Sequence, residues 1–444
     1  MSGIIQLMKR TVKRLAPHLK NASRKLIARQ LEWCVKRLIK KHELKVVAIT
    51  GSVGKTTGKL AIASVLRQKY RVQAHPGNFN SEIGLPMSIV ELDIPRDLNN
   101  PAKWAQILLK IDKKLRKPFP YDVLVLEMGA DNPGDIKKFM RYITPDIGIV
   151  NAIAPAHVEQ FGSVHAIADE KMSLAHGSKA VWLNAEDERV MKEAEALGQP
   201  IQTYGIDKGN VHFEGVVRGP KLTFSGRLQL QGGETLVNSN FIGRHILSLL
   251  ALAGAVGEEL GLTEEQIKRG LEEYAPAAGR MQVFEGVDGS TIIDDTYNSS
   301  PKATIAAINT LLDLPGRHIA ILGNMNELGV MTEQGHRDVG HAAAKVDELV
   351  TIGQNAGRYI VAGAIESGLS SRRVHQCESP YQAGELVKAL VKKGDVVLAK
   401  GSQNGVFAEE AVAKLLAKQS DRSKLVRQGE EWQEKKRAQF RDAD

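Results

Sequence analysis

The residues best suited to chemistry stand in one short run, T-G-S-V-G-K-T-T, from Thr50 to Thr57, directly after the apolar stretch V-V-A-I. A strand that ends in a Gly-rich turn and opens a helix turns backbone N–H groups and the positive end of the helix toward one anion. Gly51, Ser52, Val53 and Gly54 then form a phosphate cradle, and Lys55 places a point charge at the outer phosphates. The Thr56 hydroxyl is suited to a magnesium ion on those phosphates, and Thr57 completes the pattern. The general phosphate-binding pattern wants a further glycine at position 49, where Ile49 stands, so this is a shortened form. Glu127 closes the run L-V-L-E, Asn151 follows D-I-G-I-V, His157 comes soon after, and Lys171 lies fourteen residues beyond His157. A carboxylate and an imidazole at strand ends are ligands for a second magnesium ion. Taken singly, Glu127 reads equally as a helix cap, His157 as a satisfied loop histidine and Lys171 as a surface charge.

Such residues meet only if a sheet carries them to one edge. From Lys45, the short apolar runs V-V-A-I-T, D-V-L-V-L-E-M, D-I-G-I-V-N-A-I and A-V-W-L-N-A alternate with helical patterns such as K-L-A-I-A-S-V-L-R-Q-K-Y. Strands alternating with helices imply right-handed crossovers and a parallel sheet, whose ligands bind at the carboxyl ends of the strands. Residues 201–242 alternate polar and apolar positions around glycines and suit antiparallel hairpins, and the helical run H-I-L-S-L-L-A-L-A-G-A-V-G-E-E-L-G follows. A second alternating block opens near Gly279 with S-T-I-I-D-D-T-Y, H-I-A-I-L-G-N-M, E-L-V-T-I-G, a helix near Ala383 to Lys392, and D-V-V-L-A-K-G-S. The predicted fold class is α/β: a P-loop central domain with a parallel sheet (46–277), a smaller Rossmann-like α/β C-terminal domain (278–420), and a basic helical arm (1–45) ahead of both. Residues 421–444 read as a charged helical tail with few apolar anchors, expected to be loosely held. The small residues from Ala275 to Gly279 are the expected hinge.

Composition narrows the class further. A chain of 444 residues exceeds what one core usually supports, and 43% hydrophobic with 25% charged residues excludes a mostly disordered or collagenous chain. Cys34 and Cys377 stand far apart, which excludes a disulfide framework and a thiolate zinc site. With neither a secretory signal nor an apolar run of the roughly 18–20 residues a span requires, a cytoplasmic protein is expected. Residues 1–45 hold thirteen Lys and Arg against Glu32 and Glu43, so the whole formal charge of +9 lies in the arm and the body is nearly neutral. Nucleic acid is therefore not the expected partner. Apolar residues in the arm recur at three- and four-residue steps, from Ile4 to Leu15 and from Leu26 to Ile39, with Pro17 between them as a helix breaker. Two readings stand: a helix whose apolar face packs on the body, and one that docks peripherally on an anionic membrane surface.

The form T-G-x-x-G-K-T-[ST] resembles the Mur ligase family, and the resemblance extends over about residues 45–415. It is similar in particular to the branch that adds D-alanyl-D-alanine to a muramoyl tripeptide. The segment G-N-F-N-S-E-I-G-L-P, Gly77 to Pro86, looks like that branch's signature loop and offers Asn78 and Asn80 to the substrate. L-E-M-G-A-D-N-P-G-D-I holds Glu127, and N-A-I-A-P-A-H-V-E-Q-F-G holds Asn151 and His157. The resemblance implies that Lys171 is carbamylated, becoming an anion that faces the metal held by Thr56, Glu127 and His157. In the second block Arg280 resembles the arginine that reaches back to the ATP phosphates. D-D-T-Y-N-S-S-P, Asp294 to Pro301, resembles the nucleotide-facing turn, with Asp295 toward ATP and Tyr297 and Asn298 toward substrate. G-N-M-N-E-L-G with Asn326, and K-G-S with Lys400 and Ser402, match loops that border the incoming amine.

The resemblance thus implies an ATP- and Mg2+-dependent ligase of cell-wall peptide synthesis that makes an amide bond through an acyl-phosphate. Lys55, Lys171, His157 and Arg280 would be the catalytic set, with small peptide and carboxylate substrates, a monomeric state, and closure of the C-terminal domain over the cleft. Three features depart from the family pattern. Only the basic arm precedes the P-loop where other members carry a uridine-nucleotide-binding domain. Ile246 and Leu249 stand where adenine-side asparagines are usual, and Gln403, Asn404 and Phe407 follow K-G-S where arginine is usual. A Mur-like ligase for a lipid-linked or archaeal wall precursor, a folate or a polyglutamate is the alternative within the class. A P-loop ATPase switch is the alternative outside it, and a modified-lysine metal site speaks against a switch.

Overall fold

The strand β1 (Lys45–Thr50), K-V-V-A-I-T, is buried at every position after its first, which is possible only between two covered faces. The computed structural model, which describes residues 24–75, 81–95, 97, 100–155, 158–218, 223–239 and 242–440, places it inside a six-stranded sheet. Its partners are β2 (Val72–Gln73), β3 (Val123–Glu127), β4 (Ile147–Val150), β5 (Ala180–Asn184) and β6 (Gln202–Tyr204), all parallel, in the order β2-β3-β1-β4-β5-β6. Because β3 leads to β4 on the other side of β1, the crossover direction changes there and a crevice opens at the carboxyl ends. Register sets what that crevice holds: Ile49 stands opposite Glu127, and Thr50 opposite Val150. The turn after β1, the end of β3 and Asn151 after β4 are thereby neighbours.

The expected hairpins form a three-stranded antiparallel sheet, β7 (His212–Arg218), β8 (Phe224–Gln229) and β9 (Glu234–Ser239). They begin later than position 201, because Gln202–Tyr204 joins the parallel sheet as its edge strand against β5. An edge strand has one neighbour and one covered side, so its polar alternation resembles a hairpin's. The helix Arg244–Glu259 is buried from Ile246 through Gly257 and packs on the P-loop helix Lys55–Leu66.

The second domain is a mixed six-stranded sheet, built from β10 (Gln282–Glu285), β11 (Thr291–Asp295), β12 (His318–Gly323), β13 (Glu348–Ile352), β14 (Val374–Cys377) and β15 (Val396–Lys400). The order is β10-β11-β15-β12-β13-β14, with β10 antiparallel at the edge and the rest parallel. The helix expected from Ala383 begins earlier, at Pro380, and ends at Leu390. Ser379 caps it by accepting from the Gln382 N–H, and proline fits the first helical position because its missing N–H has no partner to lose.

Residues 24–41 of the arm form a helix whose Leu31, Val35 and Leu38 join a core with Trp104, Ile111, Leu115 and Phe119. Each such side chain contributes about 1.5–3 kcal/mol by leaving water, so this part of the arm packs on the body. Pro17 and the rest of the first half of the arm lie outside the described residues. No described helix is long and apolar enough to cross a membrane.

The tail corrects the expectation of loose attachment. Its helix Glu430–Gln439 is docked: Trp432 and Phe440 pack edge-on against Phe407, and Lys436 is fully buried. The sequence pattern concealed this because the main anchors are cations paired with distant buried carboxylates rather than apolar residues.

Candidate active site

The P-loop is held from behind before it holds anything. Gly54 has φ +78°, and an added Cβ would lie 2.4 Å from Asn151 Nδ2, so only glycine fits there. Asn151 Nδ2 donates to the Val53 carbonyl at 2.9 Å while its Oδ1 accepts from the Tyr204 hydroxyl at 2.7 Å. Asn151, expected to touch ATP, therefore lines the cavity but spends its amide on the shape of the loop. Ser52 is braced in the same way, its N–H on the Ala152 carbonyl at 2.7 Å and its hydroxyl on the Ala154 carbonyl at 2.9 Å. Lys55 Nζ donates to the Gly51 carbonyl at 2.8 Å, and burial pushes its ammonium below the usual lysine range. A desolvated cation curled over a Gly-rich loop is ready for a phosphate to replace its carbonyl partner.

Thr56 joins the two domains. Its hydroxyl donates to Glu127 Oε2 at 2.9 Å and accepts from Arg280 Nη2 at 3.3 Å. Lys59, one turn after Lys55, lies 3.2 Å from the same Glu127 oxygen, with both side chains 2% exposed. The Arg280 guanidinium stands 4.1 Å from the Tyr297 ring centroid, a cation–π arrangement, and its Nε is buried with no partner among the described residues. Lys171 is buried and does not itself line the cavity. Burial, reinforced by the Lys55 charge, pushes its ammonium down to about 7, against the smaller opposing pull of Glu170 and Asp131. His157, Asn78 and Asn80 lie outside the described residues.

A cavity of about 440 Å³ runs between the domains. Ser52 to Thr57, Glu127, Asp131 and Asn151 line one side, and Arg280, Asp295, Tyr297, Asn298, Asn326 and Lys400 the other. Ile206, Ile246 and Leu249 make an apolar wall, so a flat ring would meet hydrocarbon where asparagines had been the family pattern. Lys302 closes one rim with an ion pair to Asp187 of the central domain at 2.5 Å.

Several residues expected to touch substrate or nucleotide are turned inward. Lys400 Nζ lies 2.6 Å from Asp295 Oδ2 and donates to the Asn298 carbonyl at 2.9 Å, while Asp295 Oδ1 accepts from the Met281 N–H at 3.2 Å. Parallel register puts Asp295 opposite Lys400, which makes their pairing the nearest way to neutralise both. Ser402 is 2% exposed and accepts from the Asn326 N–H at 2.9 Å, so it shapes the Asn326 turn instead of facing the cavity. Phe407, one of the three residues that follow K-G-S where arginine is usual, is covered by the tail.

Sequence reasoning missed Lys59, although a cation four residues after Lys55 on one helix face was a usable signal. It also missed Asp131, which stood inside a quoted motif, and the Asp187–Lys302 pair, which local sequence does not mark.

A shortened P-loop, a carboxylate on its threonine and an arginine from a second domain thus meet at one cavity, and comparison with known proteins shows what the chain is similar to. Residues 49–257 match the Mur ligase middle domain, and residues 279–403 the Mur ligase, glutamate ligase domain. The UDP-N-acetylmuramoyl-tripeptide–D-alanyl-D-alanine ligase of Mycobacterium leprae is 31% identical over 81% of this chain and 71% of its own length. The Bacillus subtilis ligase of the same name is 29% identical over 87% and 79%. The crystal structure of the MurF ligase of Thermotoga maritima in complex with ADP superposes with a TM-score of 0.73 at 27% identity, covering 87% of this chain and 83% of that one. The expected two-domain α/β architecture, the P-loop facing the cavity between the domains and the likeness along most of the chain converge, and the chain belongs to the Mur ligase family.

Proposed function

We propose that the protein joins an amine of the D-alanyl-D-alanine type to the carboxylate of a cell-wall peptide precursor at the expense of ATP. An acceptor carboxylate oxygen attacks the γ-phosphorus and ADP leaves. The amine then attacks the acyl carbon, inorganic phosphate departs, and the amine's proton passes to phosphate or solvent. The observation that carries this reading is the Arg280–Thr56 contact, which brings a second-domain cation onto the P-loop hydroxyl. Phosphoryl transfer needs charge neutralisation and positioning more than covalent help from the protein, and Lys55 and Arg280 supply both from opposite sides of the cavity. Closure of the domains, held in part by Lys302 on Asp187, shields the acyl-phosphate from water.

The Thr56 hydroxyl and Glu127 carboxylate are hard oxygen donors 2.9 Å apart and fit a magnesium ion. Among the described residues no cluster of three His, Cys, Asp or Glu could hold a metal unaided, as suits an ion that arrives with nucleotide oxygens. When bound, magnesium supplies charge neutralisation on the phosphates. The neutral form of Lys171 that its burial favours is the form that adds carbon dioxide, which supports the carbamate reading; a carbamate would offset part of the positive charge of Lys55, Lys59 and Arg280.

A second reading concerns the arm. Leu26 and Trp33 are more than half exposed on a helix that also presents Arg24, Lys25, Arg29, Lys36, Arg37, Lys40 and Lys41, which favours peripheral contact with an anionic membrane.

The test of the ligase reading is phosphate release with D-alanyl-D-alanine and muramoyl tripeptide acceptors, with and without the uridine diphosphate head group. Release that requires both the acceptor and the dipeptide is the expected result. Release of phosphate that neither substrate alters would overturn the ligase reading in favour of an ATPase.

A further inference from the structure

The tail, which lies beyond the residues matched by either family model, packs behind the turn that carries Tyr297 into the cavity. Glu409 and Glu410 open the helix Glu409–Leu415 and are buried, with side-chain exposures of 0% and 2%. Buried carboxylates require partners, and the tail provides them. Arg427 holds Glu409 with two parallel bonds, Nε to Oε1 at 2.8 Å and Nη2 to Oε2 at 2.6 Å. Lys436 Nζ lies 2.9 Å from Glu409 Oε1 and 2.6 Å from Glu410 Oε1, and it donates to the Arg427 carbonyl at 2.9 Å.

Arg427 does more than neutralise Glu409. Its Nη2 donates to the Thr296 carbonyl at 2.6 Å and its Nη1 to the Tyr297 carbonyl at 3.0 Å. Those carbonyls flank the residue whose ring stacks on Arg280, and the Tyr297 N–H bonds the Gly279 carbonyl at 3.0 Å. Gly279 has φ +66°, and a Cβ there would lie 2.9 Å from the Tyr297 nitrogen and 3.0 Å from Val426 Cγ1. The residue before Arg280 and the backbone that carries the ring beneath it are therefore both set against tail residues 426–427.

We propose that Arg427 is a positioning residue for phosphoryl transfer. By anchoring the Thr296 and Tyr297 carbonyls to Glu409, it holds the Tyr297 ring under the Arg280 guanidinium and so aims Arg280 at Thr56 on the P-loop. The proposal rests on reading that loop as the phosphate site. A guanidinium is required because lysine can neutralise Glu409 but has no planar fork to span a carboxylate and two carbonyls at once.

The experiment compares full-length Arg427→Lys and Lys436→Met with the parent in kcat, KM for ATP and thermal midpoint. Arg427→Lys is expected to lower kcat about 10- to 100-fold, the cost of misplacing a reacting group by about an ångström, with the midpoint close to the parent's. Lys436→Met removes a cation from the same carboxylates without touching either carbonyl, and is expected to lower the midpoint while leaving kcat of the folded protein unchanged. In an Arg280→Ala background the Arg427→Lys loss should largely vanish, since both act through one contact. Equal kcat losses in the two tail variants, or additive losses with Arg280→Ala, would overturn the positioning role and leave a structural one. Should Arg427→Lys not fold, Tyr297→Leu removes the ring and keeps the buried ion pairs: the same kcat loss at an unchanged midpoint supports the proposal, and unchanged kcat overturns it. A parent without substrate-dependent turnover would instead be a failure of the ligase reading.

Discussion

Lys400 and Asp295 stand opposite each other on neighbouring parallel strands, and their side chains close a buried ion pair of 2.6 Å at the floor of the cavity. The pair links the β11 turn, which carries Tyr297, to the β15 loop, which carries Ser402 and with it Asn326. Breaking it from one side leaves an uncompensated buried charge, so Lys400→Met is expected to destabilise the protein by about 3–5 kcal/mol. The double variant Asp295→Asn/Lys400→Met should recover much of that loss. Urea denaturation of the three proteins is the check, and a double variant no more stable than the single one would contradict the pairing argument.

Lys55→Ala should remove ATP turnover and leave the fold intact, because among the described residues the Lys55 side chain bonds the Gly51 carbonyl of its own loop and no other element. Circular dichroism and phosphate release measured on one preparation decide the point. Amide formation that survives the substitution would refute the phosphate-site assignment.

Lys171→Ala should be inactive and partly rescued by short-chain carboxylic acids, which can occupy the space of the missing carbamate. The shift of the Lys171 ammonium down to about 7 supplies the pH arm of the test. The amine is neutral above that value and protonated below it, so parent activity should fall as pH drops through about 7 and recover with added bicarbonate. Normal turnover in the alanine variant would remove the carbamate from the mechanism.

Asp294 is fully buried with Oδ2 lacking a partner among the described residues, and burial pushes its carboxyl up to about 6 despite the Thr296 bonds that oppose the shift. Its folded-state affinity for a proton is raised above that of the unfolded chain, at about 4. The contribution is complete below about pH 4 and is lost as pH rises through about 6. Asp294→Asn should therefore raise the denaturation midpoint more at pH 8 than at pH 5, and an equal effect at both values would show that the carboxyl titrates normally.

The arm must be cut with its packing in mind. Deletion through residue 40 would strip Leu31, Val35 and Leu38 from the core, whereas removal of residues 1–23 spares them. The shorter truncation should retain ATP turnover and sediment less with anionic vesicles, with a difference that fades as salt rises. Equal sedimentation with and without residues 1–23 would remove that segment from any membrane role.

Most of the α/β plan was legible because strand runs and helix runs differ in period, and because the P-loop is a local motif whose strand-before, helix-after context can be read in order. Glu127 and Asn151 could be placed at strand ends for the same reason. What those side chains do there is tertiary. Asn151 props the loop because Tyr204, on the edge strand, reaches it, and Asp295 and Lys400 cancel each other because register sets them face to face. The tail illustrates the limit most plainly: its pattern is that of a solvated helix, since the partners that bury Arg427 and Lys436 lie on an earlier helix and are brought there only by the folded C-terminal domain. Hydrophobic periodicity reports which faces seek cover, whereas a buried ion pair is specified by two positions far apart in the chain, and only the tertiary structure decides which cation meets which carboxylate.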